Sequence, residues 1–172
     1  MITPGLTNRS EEDFQRYSIY GYDHWRLLDS LLLTAGVSYD HIKYPLDFRH
    51  APITSGQDER DQISPKAGLT WSPFRHTTVR GAYTKSLGGV SFDQSFRLEP
   101  SQVAGFNQAY RSLIPESVAG SVAASRFETF GVALDQKFQS GTYLGISGEV
   151  LTSDAARQLG TVDSIGFPPA FT

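Results

Sequence analysis

The sequence predicts an all-β protein: an antiparallel up-and-down transmembrane β-barrel segment of about six strands, with short periplasmic turns and long extracellular loops. Three observations predict it. Six stretches alternate apolar and polar residues with a period of two, the mark of a half-buried strand. The connections between these stretches alternate short and long. Aromatic residues gather toward the ends of the stretches.

Residues 1–13, with Pro4, Gly5, Asn8 and the acidic run Glu11-Glu12-Asp13, read as a loop. The first strand is expected over 14–25, rich in aromatics from Tyr17 to Trp25, and breaks at Asp29-Ser30. The second, 31–40, sets Leu31, Leu33, Ala35, Val37 and Tyr39 on one face and Leu32, Thr34, Gly36, Ser38 and Asp40 on the other. A polar stretch from His41 to Gln62, containing Pro45, Pro52 and Gly56, reads as a long loop. The third strand, 63–72, places Ile63, Pro65, Ala67, Leu69 and Trp71 opposite Ser64, Lys66, Gly68 and Thr70. Pro65 removes a ladder donor, and its place near the expected strand start softens that. A tight turn at Ser72-Pro73-Phe74-Arg75-His76 leads to the fourth strand, 77–85.

The stretch from Ser86 to Arg126 is a second long connection. Val103, Phe106, Tyr110 and Leu113 recur there at helical spacing after Pro100, so a short helix is expected. The fifth strand, 127–138, and the sixth, 142–152, flank the turn Gln139-Ser140-Gly141. The tail from Ser153 holds Gly160, Gly166, Pro168 and Pro169 and shows no alternation.

Composition narrows the class. The 172 residues are 39% hydrophobic and 19% charged, too apolar for a disordered tail. The longest aliphatic run, Leu31-Leu32-Leu33, is far short of the ~20 residues of a membrane helix. A net charge of −3 without a basic block argues against nucleic-acid binding. Cysteine is absent, which removes disulfides, thiol nucleophiles and thiolate metal sites. Met1-Ile2-Thr3-Pro4-Gly5 lacks the basic and apolar regions of a signal peptide, which fits a cytoplasmic protein or an internal piece of a longer chain.

Connections this long are uncommon in compact soluble domains, whereas outer-membrane barrels join strands by short turns on one side and long loops on the other. If the short turns are periplasmic, Trp25, Trp71 and Phe138 lie at the periplasmic ends, and Tyr39, Tyr83 and Phe130 lie near the opposite ends. These make two girdles of membrane-interface aromatics. An Arg or Lys facing lipid at mid-bilayer costs roughly 2–4 kcal/mol. Lys66, Arg80, Asp135, Lys137 and Glu149 all fall on the small, polar face, which then points into the lumen. Lys85 breaks this parity, but at a strand end it can snorkel. A soluble β-sandwich shows the same period-two faces and stays open as an alternative; loop lengths and girdles favour the membrane.

Ile19-Tyr20-Gly21-Tyr22-Asp23-His24-Trp25 followed by Leu31-Leu32-Leu33-Thr34-Ala35-Gly36-Val37-Ser38-Tyr39-Asp40 resembles a hairpin of TonB-dependent outer-membrane receptors. Ile63-Ser64-Pro65-Lys66-Ala67-Gly68-Leu69-Thr70-Trp71-Ser72-Pro73 with Thr78-Val79-Arg80-Gly81-Ala82-Tyr83-Thr84-Lys85-Ser86-Leu87 is similar to a second, and Leu98-Glu99-Pro100 to one of their loop elements. The resemblance spans roughly residues 14–151. It implies a barrel in the outer membrane that takes up a bulky solute, with the lipid bilayer, a plug and a periplasmic energy-coupling partner as its associates. Ser38 stands where such proteins often carry Arg, and no plug or coupling box precedes the first strand. Six strands are too few to close a barrel, so the chain is expected to be a single β-barrel domain over 1–172, part of a larger barrel. An anchor or scaffold without transport, or a soluble ligand-binding β-domain, are the alternatives.

No catalytic or metal site emerges, and no cofactor is expected. His24, His41, His50 and His76 lack ligand spacing, and Asp58-Glu59-Arg60-Asp61 lacks that of a calcium loop. Asn8-Arg9-Ser10 is a chance-level sequon. The aromatic residues Phe92, Phe96, Phe106 and Tyr110 make the second long connection the best candidate for ligand contact.

Overall fold

The computed structural model describes residues 13–45, 56–89, 97–111 and 123–156. The expectations for residues 1–12, Asn8-Arg9-Ser10, His50, Phe92, Phe96, Leu113 and the tail beyond 156 lie outside the described residues. Strands β1 (Gln15–Leu28), β2 (Leu31–Pro45), β3 (Gln57–Phe74), β4 (Thr77–Leu87), β7 (Arg126–Lys137) and β8 (Tyr143–Asp154) form one antiparallel sheet in the order β1-β2-β3-β4-β7-β8. Two further short strands, β5 (Gln102–Val103) and β6 (Phe106–Asn107), form a separate hairpin, followed by a 3₁₀ turn over Ala109–Arg111. The sheet is a meander interrupted once, between β4 and β7. It is open among the described residues, because β1 and β8 each pair with one neighbour.

The strands outrun the sequence pattern most where β2 meets β3. Both continue through the stretch expected as a loop, with His41 opposite Asp61, Ile42 opposite Arg60, Lys43 opposite Glu59 and Tyr44 opposite Asp58. Cross-strand pairing to an already formed ladder sustains this region despite its polarity. Its side chains also pair across the strands: the Tyr44 hydroxyl donates to Asp58 Oδ2 at 2.9 Å, and Lys43 Nζ lies 3.9 Å from Glu59.

Pro65 sits well inside β3, not near its start, opposite Val37 on the β2 side. The ladder from β3 to β4 begins only at the next residue, Lys66 opposite Thr84. Continuing that register sets Pro65 against Lys85, whose carbonyl accepts a hydrogen bond from Lys66 Nζ at 3.1 Å. The ammonium supplies the donor that proline lacks.

The helix expected around Val103–Leu113 is a hairpin instead. Ala104 and Gly105 have φ of 48° and 85°. Two consecutive residues with positive φ make the tight turn whose twist matches a two-stranded ribbon, and they forbid a helix. Val103 and Phe106 therefore face each other across the turn.

The hairpin lies on one face of the sheet and makes that face the interior. Val103 and Phe106 pack on Ala82 and Ala133, with Tyr22 and Ala104 against them. The approach is close enough that a side chain on Gly68 would meet Val103 at 2.8 Å, and one on Gly131 would meet Phe106 at 2.6 Å. A second apolar cluster, Ile42, Tyr44, Leu87 and Ala124, lies toward the long-connection end, joined by Phe14 and Ala123. The opposite face is bare: Ile19, Ile63, Phe130, Val132, Ile146 and Val150 are all exposed.

Candidate functional site

The covered face carries a polar network built on one ammonium. Lys66 is fixed by its strand register between Gly36 and Thr84. Its Nζ lies 2.7 Å from Glu99 Oε1, and both side chains are buried. Nζ also donates to Ser38 Oγ at 2.9 Å. Glu99 accepts from the Tyr22 hydroxyl at 2.6 Å. Gln108 Nε2 donates to the Tyr22 hydroxyl at 2.8 Å and to the Pro100 carbonyl at 2.6 Å, while the Tyr110 hydroxyl closes on the carbonyls of Glu99 and Pro100. The Arg97 guanidinium lies 4.2 Å from the centre of the Tyr110 ring and donates to the Leu87 carbonyl. The segment Arg97–Tyr110 is thus pinned to the wall by charge, hydroxyls and a cation–π contact, as well as by its apolar hairpin.

The other expected lumen residues fall in different surroundings. Arg80 Nη2 lies 2.7 Å from Asp135 Oδ2 and its guanidinium reaches the Phe106 ring at 5.9 Å, so this pair borders the hairpin. Lys137 and Glu149 share the covered face by parity, Glu149 opposite Gly131, but both are exposed and lie beyond the hairpin's cover. Arg16 and Asp40, which the pattern did not single out, form a further ion pair on that face at 3.0 Å, with Ser18 also donating to Asp40.

The bare face is organised by height. Toward the short turns it carries Trp25, whose indole donates to Asp23, then Trp71 between Leu31 and Val79, with Phe138 just past β7. Toward the long connections it carries Tyr39, Tyr83 and Phe130, the last two directly opposed. The Tyr39 hydroxyl donates to Asp61 and that of Tyr83 to Glu128, each at 2.6 Å. Each ring thus ends in a polar cap on the same side of the apolar band. From Ile63 to Trp71 is nine residues of strand, or eight steps, about 27 Å at ~3.4 Å per step, a length suited to a tilted strand crossing a hydrocarbon layer.

Beyond Tyr39 and Ile63 the polarity of the wall inverts. Below that line the bare face is apolar except for Asp23, opposite Ala35 and bonded to the Trp25 indole, and the covered face holds Ser38, Ser64, Lys66 and Thr84. Above it the bare face holds His41, Lys43, Glu59 and Asp61, while the covered face holds the buried polar pair Asp40 and Gln62 and then the apolar cluster around Ile42 and Tyr44, with Arg60 between. On this strand pair the large apolar side chains Val37, Tyr39 and Ile63 point outward below the line and Ile42 and Tyr44 point inward above it. That is the arrangement expected when the surroundings change from lipid to water along the strand. Lys85, the parity-breaking cation, lies two residues beyond Tyr83 toward the long connection and 3.6 Å from Glu128, so its charge is paired on the bare face.

Among the described residues no group of three His, Cys, Asp or Glu side chains gathers as metal ligands, and no helix is long and apolar enough to cross a membrane. The chemistry on display is that of a wall: lipid-compatible on one side, hydrogen-bonding on the other.

Residues 2–125 match the family model described as TonB dependent receptor-like, beta-barrel, which is well over half of the chain. No curated protein and no solved structure matches it.

Proposed function

The chain belongs to the TonB-dependent-receptor-like β-barrel family, and we propose that it forms part of the wall of an outer-membrane barrel through which a solute passes. The inversion at the Tyr39–Ile63 line carries this reading, since a soluble domain has no reason to keep an aromatic-bounded apolar band bare on its outside. The polar face lined by Ser38, Ser64, Lys66, Arg80 and Asp135 is the side the solute would meet. A plug and an energy-coupling partner are the associates the family suggests, and the role is passage rather than catalysis. The test is to fractionate cells expressing the full-length gene product, score heat-modifiable gel migration, and measure sugar entry into vesicles holding the purified protein. Outer-membrane location, a heat shift and entry support the reading; a soluble product without a shift contradicts it.

One observation favours a second reading, a barrel that anchors or scaffolds without transport. The segment Arg97–Tyr110 occupies the face a solute would need, pinned by a buried ion pair. Location and heat shift without entry would favour this reading.

A further inference from the structure

We propose that the short-turn end of the sheet is a docking site for an acidic segment of a periplasmic protein, which sets a carboxylate beside Arg26 in the cleft between the first two hairpin tips. This rests on the reading of the sheet as an outer-membrane wall with its short turns in the periplasm.

The two tips are built alike. β1 and β3 each reach a tryptophan of the girdle toward the short turns, Trp25 and Trp71, and each then takes in one extra residue. Arg26 pairs with Leu32 but Leu28 with Leu31, and Trp71 pairs with Val79 but Phe74 with Thr77. Bulges of this kind re-aim side chains at barrel rims and beside binding sites. Each one ends on a large apolar residue, Leu28 or Phe74, 60% and 73% exposed. The Ser72 amide donates to the Ser30 carbonyl at 2.7 Å, so the two tips form one unit. Both apolar residues lie roughly 10 Å of strand past their tryptophan, beyond the lipid boundary that the girdle marks. Exposed apolar side chains gathered on the watery side of that boundary mark a contact surface.

A cleft of about 150 Å³ lies between the tips, lined by Arg26, Leu28, Ser30, Leu32, Thr70 and Ser72, with Asp29 at its edge. Small-molecule pockets start at roughly 300 Å³, so this one takes a side chain and not a bulky solute. Arg26, Leu32 and Thr70 form one cross-strand row on the covered face. The cleft therefore opens on the side away from lipid.

Charge selects the occupant. Arg26, Arg75 and Lys137 are exposed at this end, and none of them makes an ion pair among the described residues. Asp135 is held by Arg80 and Asp23 by the Trp25 indole, which leaves Asp29 as the carboxylate to set against three cations. A cationic rim around exposed apolar tips is complementary to an acidic segment that also carries apolar side chains, with the Arg26 guanidinium as the natural partner of its carboxylate.

The test uses the full-length gene product in detergent micelles, which leave both ends of the wall open. The probes are two fluorescein-labelled peptides, Leu-Glu-Leu-Glu-Leu and its amide twin Leu-Gln-Leu-Gln-Leu, with anisotropy as the readout. The acidic peptide is expected to bind at least about tenfold tighter than its twin, and the difference to shrink as salt is added. Arg26→Glu is expected to weaken the acidic peptide about tenfold and Phe74→Ser several-fold, while Lys43→Glu at the opposite end has no effect. No binding, or equal binding of the two peptides, overturns the proposal. Equal losses from Arg26→Glu and Lys43→Glu overturn it too, because attraction to charge anywhere on the protein then suffices. Release of the acidic peptide by short-chain phosphatidylglycerol at the same concentration assigns the site to a lipid headgroup and also overturns it. Heat-modifiable migration is scored on every form. A protein without the shift overturns the wall reading whatever it binds, whereas peptide results on a shifting protein judge the docking site alone. If Arg26→Glu lacks the shift and so has not folded, Arg26→Gln decides in its place, with an expected loss of about threefold.

Discussion

Lys66 and Glu99 lie 33 positions apart in sequence and 2.7 Å apart in space, one on the third strand of the sheet and the other on a segment folded back over it. The pair is buried on both sides, and Lys66 also supplies the donor missing at Pro65. The ammonium thus serves the wall and the covering segment together.

Removing one partner leaves the other as an uncompensated buried charge. Glu99→Gln or Lys66→Met is expected to lower stability by about 3–5 kcal/mol, and the double change Lys66→Met with Glu99→Leu to recover much of that loss. Asp135→Asn, which breaks the partly solvated Arg80 pair, is expected to cost about 1 kcal/mol or less. Urea midpoints of the folded protein in vesicles check all three; equal losses at the two pairs would contradict the difference in burial.

The seats of the hairpin make a second prediction. Gly131→Val drives a side chain into the Phe106 ring, and overpacking of this kind costs about 1–3 kcal/mol. Gly148→Ala meets open space and is expected to be nearly neutral. The temperature at which the gel-mobility shift occurs should fall for the first and stay put for the second.

The turn itself yields a third. Ala104 holds a φ of 48°, where a Cβ is unfavourable, so Ala104→Gly is expected to stabilise by a few tenths to about 1 kcal/mol. Gly105→Ala, at φ 85° and with Arg80 Nη1 in the path of the new methyl, is expected to destabilise. Opposite signs in the urea midpoints are the outcome to look for.

The bare face makes a fourth. Val132→Arg places a cation in the middle of the apolar band and is expected to cost about 2–4 kcal/mol of folding into a bilayer. His41→Arg, on the polar side of the Tyr39 line, is expected to change little. The fraction that folds into vesicles, read as the heat-modifiable band, separates them; equal yields would speak against a lipid boundary between these heights.

The sheet was legible because its faces follow a period of two that any strand neighbour reinforces. Lys66, Arg80 and Asp135 fell on the covered face from parity alone. The extension of β2 and β3 was not legible, because above Tyr39 the polarity inverts and the apolar members, Ile42 and Tyr44, are outnumbered by charges such as Lys43, Asp58, Glu59 and Asp61. The hairpin was misread as a helix because Val103, Phe106 and Tyr110 do recur at helical spacing; the Ala104-Gly105 turn that overrides them depends on where the wall lies. Glu99 was visible only as part of Leu98-Glu99-Pro100. Its role depends on a fold-back of the chain that local spacing does not encode.

The central claim is that one face of this sheet meets lipid and the other does not. The direct measurement is a nitroxide scan of residues 129–135 in the full-length product held in vesicles, comparing collision with oxygen against collision with a water-soluble nickel reagent. Oxygen maxima at 130, 132 and 134, with minima at 129, 131 and 133, are predicted. High nickel access at those same three positions, or no period of two, would contradict the account.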